Sequence, residues 1–223
     1  MDQTVTLAGK RLRTPRAAAI AGILFSTFLI AVFVLILSSV PKDPLESGTW
    51  LAASPRRVII AINLMPFAGI AFLWFVGVVR DRLGDAEDRL FATVFLGSGL
   101  LFIGMMFIAA SIFGAIVVVN AARPETLANS TTFALARAFA YNLVNVYAIK
   151  MAGVFMVVTS TLALRTGFLA RWIAFLGLAM ALVLLFASQL FDWSFAIFPA
   201  WVLLISVYIL IDNFQLAPRL GQS

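Results

Sequence analysis

The residue best placed to do chemistry is Lys150, the only lysine or arginine well inside any apolar stretch of the chain. It lies within residues 138–164, a stretch long enough to cross a bilayer. A charge near the bilayer centre costs roughly 2.5–3.5 kcal/mol on the insertion scale. Such a side chain therefore faces the protein interior, finds hydrogen-bond acceptors or titrates. The sequence therefore predicts that any ligand site lies near Lys150.

Other polar side chains are expected near Lys150, in the outer half of the membrane. An amine with amides and a phenol suits an anion, a lipid headgroup or a carbonyl-bearing small molecule. The alternative is a lysine that snorkels or is hydrogen-bonded internally and only stabilises the bundle. No acidic residue lies deep in any apolar stretch to serve as a counter-ion. The candidate residues for a polar ligand cavity are Lys150, Asn145, Asn142, Tyr147 and Asn63, with Ser111 and Gln189 nearby.

Catalytic, cofactor-binding and metal-binding residues are not predicted. The chain has no histidine and no cysteine, which removes the usual proton shuttle, metal ligand and thiolate. Motifs of zinc proteases, serine hydrolases and phosphate-binding loops are also absent from the sequence. A membrane enzyme without a recognisable motif remains a third hypothesis. Its candidate residues are the acids near residues 80–89, namely Asp81, Asp85, Glu87 and Asp88.

The composition indicates that most of the chain is solvated by lipid. Hydrophobic residues make up 63% of the 223 residues and charged residues only 12%. Soluble domains are about 45–50% apolar and about 25% charged. The net charge of +6 comes from basic residues that flank apolar stretches, where they orient helices and contact anionic headgroups. We therefore expect the lipid bilayer and anionic lipid headgroups as partners, and no nucleic acid.

The apolar stretches are continuous and helix-length, which predicts an all-α fold, a polytopic bundle of six transmembrane helices. A basic segment, residues 1–16, precedes the bundle at 17–213, and a short tail covers 214–223. The six predicted spans are residues 17–40, 57–79, 90–119, 138–164, 168–190 and 195–213.

Three local signals refine these spans. Ser130 or Asn129 could cap a helix that starts outside the membrane and continues into the fourth span. Arg165 followed by Gly167 is typical of a helix C-terminus. Trp50, in the first loop, suits the water–lipid interface.

Small residues recur along one side of the third span. Gly97, Gly104 and Ser111 are seven residues apart, and Gly114 forms a small-residue pair with Ala110. Such a seam lets a neighbouring backbone approach closely. The analysis favours packing within the chain over contact with a second copy or another membrane protein.

Lysine and arginine counts favour an orientation with both termini in the cytoplasm. In that orientation the cytoplasmic segments hold ten basic residues and the outer loops hold five. The ten are Lys10, Arg11, Arg13, Arg16, Arg80, Arg82, Arg89, Arg165, Arg171 and Arg219. The five are Lys42, Arg56, Arg57, Arg123 and Arg137.

The second half of the chain resembles a group of uncharacterised six-helix bacterial integral membrane proteins. The resemblance rests on YAIKMAGVFMVVTSTLALRTG at 147–167, ARWIA at 170–174 and WVLLISVYIL at 201–210. Members of that group tend to have proline where this chain has Ala170. The resemblance implies a bacterial plasma-membrane location and implies no activity.

Two classes of function are therefore preferred over an enzyme. The absence of catalytic machinery and the small-residue seam favour a non-enzymatic membrane partner or scaffold protein. The alternative is a transporter or receptor for a small molecule, lipid or ion, with an outward-facing polar cavity around Lys150.

Overall fold

The structure is a computed structural model, and all regular elements in the residues that it describes are helical. The described residues are 15–43, 45–46, 48, 50–53, 55–83, 89–122, 130–191 and 193–216. The N-terminal segment 1–14, residues 84–88 between the second and third spans, and the tail from 217 lie outside this part of the chain.

Eight α-helices occur in the described residues. They are α1 (Pro15–Leu37), α2 (Trp50–Ala53), α3 (Pro55–Leu83), α4 (Arg89–Ala122), α5 (Thr131–Asn142), α6 (Ile149–Thr166), α7 (Arg171–Leu182) and α8 (Ser194–Leu216). A π-helical segment, Leu143–Ala148, joins α5 to α6 without a break. A second π-helical segment, Val183–Ala187, follows α7 and passes into a 3₁₀ turn, Ser188–Leu190.

Six of the resulting helical rods are long and apolar enough to cross a membrane. The chain is thus a multi-pass membrane protein with a six-helix bundle, as the composition predicts. The fourth span differs most from its predicted range, because it begins at Thr131 rather than at residue 138 and runs to Thr166. Ser130 is its N-cap, since its side chain accepts a 3.2 Å hydrogen bond from the Phe133 amide.

The other predicted cap of the fourth span is also confirmed. Gly167 adopts a left-handed conformation with φ of 71°. Its amide donates a 2.9 Å hydrogen bond to the Ala163 carbonyl, which ends α6. Glycine adopts this conformation without the steric cost that a Cβ would add.

The helices pack in a ring around an aromatic core. α1 contacts α3 and α8, while α4 contacts α3 and α6, and α6 contacts α7. Ring pairs link these helices, with centroids 4.7 Å apart for Phe25 and Phe72 and 4.8 Å apart for Phe102 and Phe198. Since α8 makes few contacts with α7, the ring is loosest between the fifth and sixth spans.

Gly177 is one of the points of close side-chain approach in this core. A Cβ there would lie 2.6 Å from Trp201 Nε1 and also against the Ser160 hydroxyl. Both neighbours are fully buried. The glycine thereby lets α7 pack tightly against α6 and makes room for the Trp201 ring of α8, as small residues do between membrane helices.

Candidate functional site

A cavity of about 210 Å³ lies at one end of the bundle, between residues of all six spans. We call this end the loop end, because it carries the connection at 38–49, Ser130 and the turn at 191–193. The cavity is partly open.

Its walls divide into an apolar face and a polar face. Every lining residue from α1, α3 and α4 is apolar, with Phe33, Met65 and Met106 as examples. The polar lining residues belong to the first loop, the fourth span, the end of the fifth span and the start of the sixth. They are Lys42, Arg137, Tyr141, Asn145, Ser188, Gln189 and Ser194. Ligand sites in proteins commonly combine apolar walls with a few placed polar groups.

Arg137 is the most buried charged group of the polar face, with only 4% of its surface exposed. Its Nη1 donates a 2.8 Å hydrogen bond to the Glu46 carbonyl. Its Nη2 donates to the carbonyls of Pro41 and Asp43, both at 2.8 Å. Three N–H groups of the guanidinium therefore hold the first loop against α5.

Aromatic rings complete the surroundings of Arg137. Its guanidinium carbon lies 5.9 Å from the ring centroids of both Trp50 and Phe133. Trp50 is only 6% exposed and packs in a small core with Leu51 and Val58. Its indole thus packs beside the arginine that binds the first loop. Its location at the water–lipid interface stays a prediction.

Sequence reasoning missed Arg137 as a site residue, because it was counted among the outer-loop cations. The available signal was the Ser130 cap. A helix that begins there places Arg137 one turn after Phe133, on the same side of α5. Both residues are buried.

Lys150 lies behind the polar face rather than in the lining of the cavity. Its ammonium donates a 3.1 Å hydrogen bond to the Leu184 carbonyl, another to the Leu185 carbonyl, and a 3.2 Å bond to Ser188 Oγ. These carbonyls belong to the end of the fifth span, where the last helical carbonyls lack intrahelical partners. The lysine thus interacts with the negative end of a helix instead of a carboxylate. This geometry corresponds to the internally hydrogen-bonded lysine that the sequence analysis left as an alternative.

The two π-helical segments meet beside Lys150. Gln189, just after the second segment, donates through Nε2 a 3.1 Å hydrogen bond to the Asn145 carbonyl in the first. Asn145 in turn donates through Nδ2 to the Tyr141 carbonyl at 3.0 Å. Irregular helix thus supplies backbone acceptors, and side chains of the facing span bind them. Such π-helical segments are frequent at functional sites.

The predicted cavity residues are only partly brought together. Asn145 lines the cavity and Lys150 contacts it through Ser188. Asn142 and Tyr147 are exposed on the outside of the fourth span, and Tyr147 has 56% of its surface accessible. Asn63 is also exposed and donates to the Ile59 carbonyl of its own helix at 2.9 Å. Helical rotation turns these three side chains away from the cavity.

The predicted small-residue seam of α4 lies mostly on the outer surface of the bundle. A Cβ added at Gly97 or Gly104 would meet no atom of the described residues within 4 Å, and Ser111 is exposed. A Cβ added at Gly114 would lie 3.9 Å from Ile62 Cγ2, which is an ordinary packing contact. The expected packing within the chain therefore does not occur at Gly97 and Gly104 in the part of the chain that the structure describes.

In the same part of the chain, no group of three or more His, Cys, Asp or Glu side chains lies together. The side chains of Asp81, Asp85, Glu87 and Asp88 lie outside the described residues. Comparison of the chain with models of known protein families, with curated proteins and with solved structures finds no match.

Proposed function

We propose that this protein binds a small amphiphilic molecule within the membrane, as a receptor or carrier. The observation that supports this proposal is the two-faced cavity at the loop end. An amphiphile would place its apolar chain against Phe33, Met65 and Met106, and its polar group against the fourth span. This assignment moves the polar group from Lys150 to the neighbourhood of Arg137, Asn145 and Ser188.

Burial energetics support the choice of an amphiphile over a simple ion. The walls from α1, α3 and α4 offer no hydrogen bond to an ion, whereas apolar contact favours a hydrocarbon chain. The polar groups fix the orientation of the ligand, because unpaired buried polar atoms are costly. The volume of about 210 Å³ suits a short chain better than a whole phospholipid.

Photolabelling in lipid nanodiscs tests the proposal with two probes, a diazirine-bearing decanol and a diazirine-bearing decanoate. We expect at least one probe to label lining residues in a saturable manner, with unlabelled compound as competitor. Ala110→Phe should abolish the saturable labelling, because Ala110 lines the cavity and the larger ring fills it.

Ala115→Phe is the matched control, since Ala115 is exposed on the same helix. If labelling by both probes rises linearly with probe concentration, or is equal in the two variants, the probes only partition into lipid. The proposed function would then fail.

A membrane partner or scaffold protein is the second candidate. The outward-facing seam at Gly97, Gly104 and Ser111 favours it, because the described residues leave these positions uncovered. The occupant we propose is a second copy of this chain, which would bring two α4 helices together.

We further propose a bacterial plasma-membrane location with both termini in the cytoplasm. The resemblance of the second half of the chain supports the membrane, and the charge bias supports the orientation. The spans of the structure take in Arg56, Arg57 and Arg137 from the outer loops and Arg80, Arg165 and Arg171 from the cytoplasmic segments, which leaves two basic residues outside and seven inside and keeps that bias.

A further inference from the structure

We infer that the ligand of the cavity is an anionic amphiphile, with a carboxylate or similar acid group and a short hydrocarbon chain. This inference rests on the proposed function and names its ligand class. It comes from the charges and unused hydrogen-bond donors around the polar face.

Positive charge dominates this face. Arg137 and Lys42 line the cavity, and no carboxylate belongs to the lining among the described residues. Lys150 adds a third cation behind Ser188. The exposed acids Asp43 and Glu46 act on Arg137 electrostatically, but its hydrogen bonds to these two residues go to their backbone carbonyls. The Asp43 carboxylate accepts instead from the Leu45 amide at 2.8 Å.

Two donors of Arg137, a residue of the cavity lining, are not used by the first loop. A guanidinium carries five N–H groups, and the loop uses one at Nη1 and two at Nη2. The Nε group and the second Nη1 hydrogen make no hydrogen bond to any described residue. The Nε hydrogen and the Nη1 group lie on opposite sides of the guanidinium, so each can donate one hydrogen bond to an anion but the two do not form a bidentate pair.

Ser188 supplies a further donor on the same face. Its oxygen accepts the hydrogen bond from the Lys150 ammonium, so its own hydrogen is free to bond to a ligand. The Lys150 ammonium polarises the Ser188 hydroxyl, which strengthens the hydrogen bond that this hydroxyl donates to a ligand. Ser188 is 5% exposed and lines the cavity, which places this hydroxyl at the ligand. Lys150 thereby becomes a positioning residue for an anion that it does not touch.

Competition against the diazirine-bearing decanol tests the inference in nanodiscs at about pH 9, where a carboxylate in a bilayer stays ionised. Decanoate, decanol, decyltrimethylammonium and acetate are compared, with amphiphile concentrations expressed per bilayer lipid. We expect decanoate to compete about tenfold better than decanol and the ammonium compound to compete worst. Acetate should not compete, because it lacks the apolar chain.

Variants of Arg137 and Ser188 test the two hydrogen-bond donors separately. Arg137→Gln should weaken decanoate about tenfold more than it weakens decanol, and Arg137→Lys should retain part of the preference. If the change at Arg137 prevents folding, Ser188→Ala provides the second measurement. It should weaken decanoate about threefold more than it weakens decanol, because a hydrogen bond to an ionised acceptor is the stronger one.

Decanol binding as tightly as decanoate would overturn the anionic assignment and leave the proposed function intact. Acetate competing as well as decanoate would overturn the amphiphile. Saturable binding by neither probe would instead be a failure of the proposed function itself.

Discussion

Single residues show how this bundle accommodates positive charge without buried acids. Lys150 binds two backbone carbonyls and a hydroxyl of the fifth span, and Arg137 binds three carbonyls of the first loop. Both cations thus bind backbone carbonyls instead of carboxylates of the described residues, and Asp43 and Glu46 act on Arg137 only through space. The anion proposed above would bind beside Arg137 and Ser188, which line the cavity.

Lys150→Met should lower the free energy of unfolding by about 1–3 kcal/mol, because the Leu184 and Leu185 carbonyls lose their donor in a nonaqueous interior. Equilibrium unfolding in mixed micelles measures this difference. Thr161→Val is the control, since the Thr161 hydroxyl only bonds back to the Val157 carbonyl of its own helix at 2.8 Å. Equal stability of the two variants would show that Lys150 does not brace the fifth span.

At the scale of elements, irregular helix and small residues decide how the spans meet. The two π-helical segments face each other and are joined through Gln189 and Lys150. Gly177 lets α7 approach α6 and α8, whereas Gly104 faces outward from α4. Small residues therefore have two roles in this bundle: Gly177 lets neighbouring side chains approach, and Gly104 leaves part of the outer surface uncovered. The role of each depends on the residues that surround it.

The outward seam should support association of two copies. Gly104→Ile should weaken energy transfer between donor-labelled and acceptor-labelled chains in nanodiscs or vesicles, by roughly tenfold in apparent association. Gly77→Ile serves as the control, because Gly77 also has no described neighbour within 4 Å but lies on α3. Transfer that is the same in the parent and both variants would contradict the second candidate function.

At the scale of the whole molecule, the arrangement of spans leaves space at one end and fills the other. Phenylalanine pairs close the core between α1, α3, α4 and α8, while the loop end retains the cavity. Arg137 holds the first loop at this cavity. With the proposed orientation, the cavity lies in the outer half of the membrane.

Single cysteines test that orientation, since the chain has none of its own. Leu45→Cys should react with a membrane-impermeant maleimide in intact cells, because Leu45 is 72% exposed in the first loop. Thr166→Cys, exposed at the opposite end of the bundle, should react only after the membrane is permeabilised. The reverse pattern would place the termini outside.

The sequence by itself determined the class of fold and several local boundaries. Continuous apolar stretches specify six spans because each must match the thickness of a bilayer. Ser130 and Gly167 could be recognised as caps because capping depends on nearest neighbours along the chain. The unusual lysine could likewise be found, because its cost depends only on its depth in the membrane.

Only the tertiary structure decided which polar groups meet. Asn142, Tyr147 and Asn63 have the right chemistry, but the rotation of their helices directs them outward. The first loop folds back onto Arg137 across more than ninety residues of sequence, with a separation of 91 for the Glu46 contact. The α4 seam has the small residues of a packing interface, yet no described helix covers Gly97 or Gly104. Depth and periodicity are encoded locally, whereas helix rotation and loop return depend on how all six spans pack together.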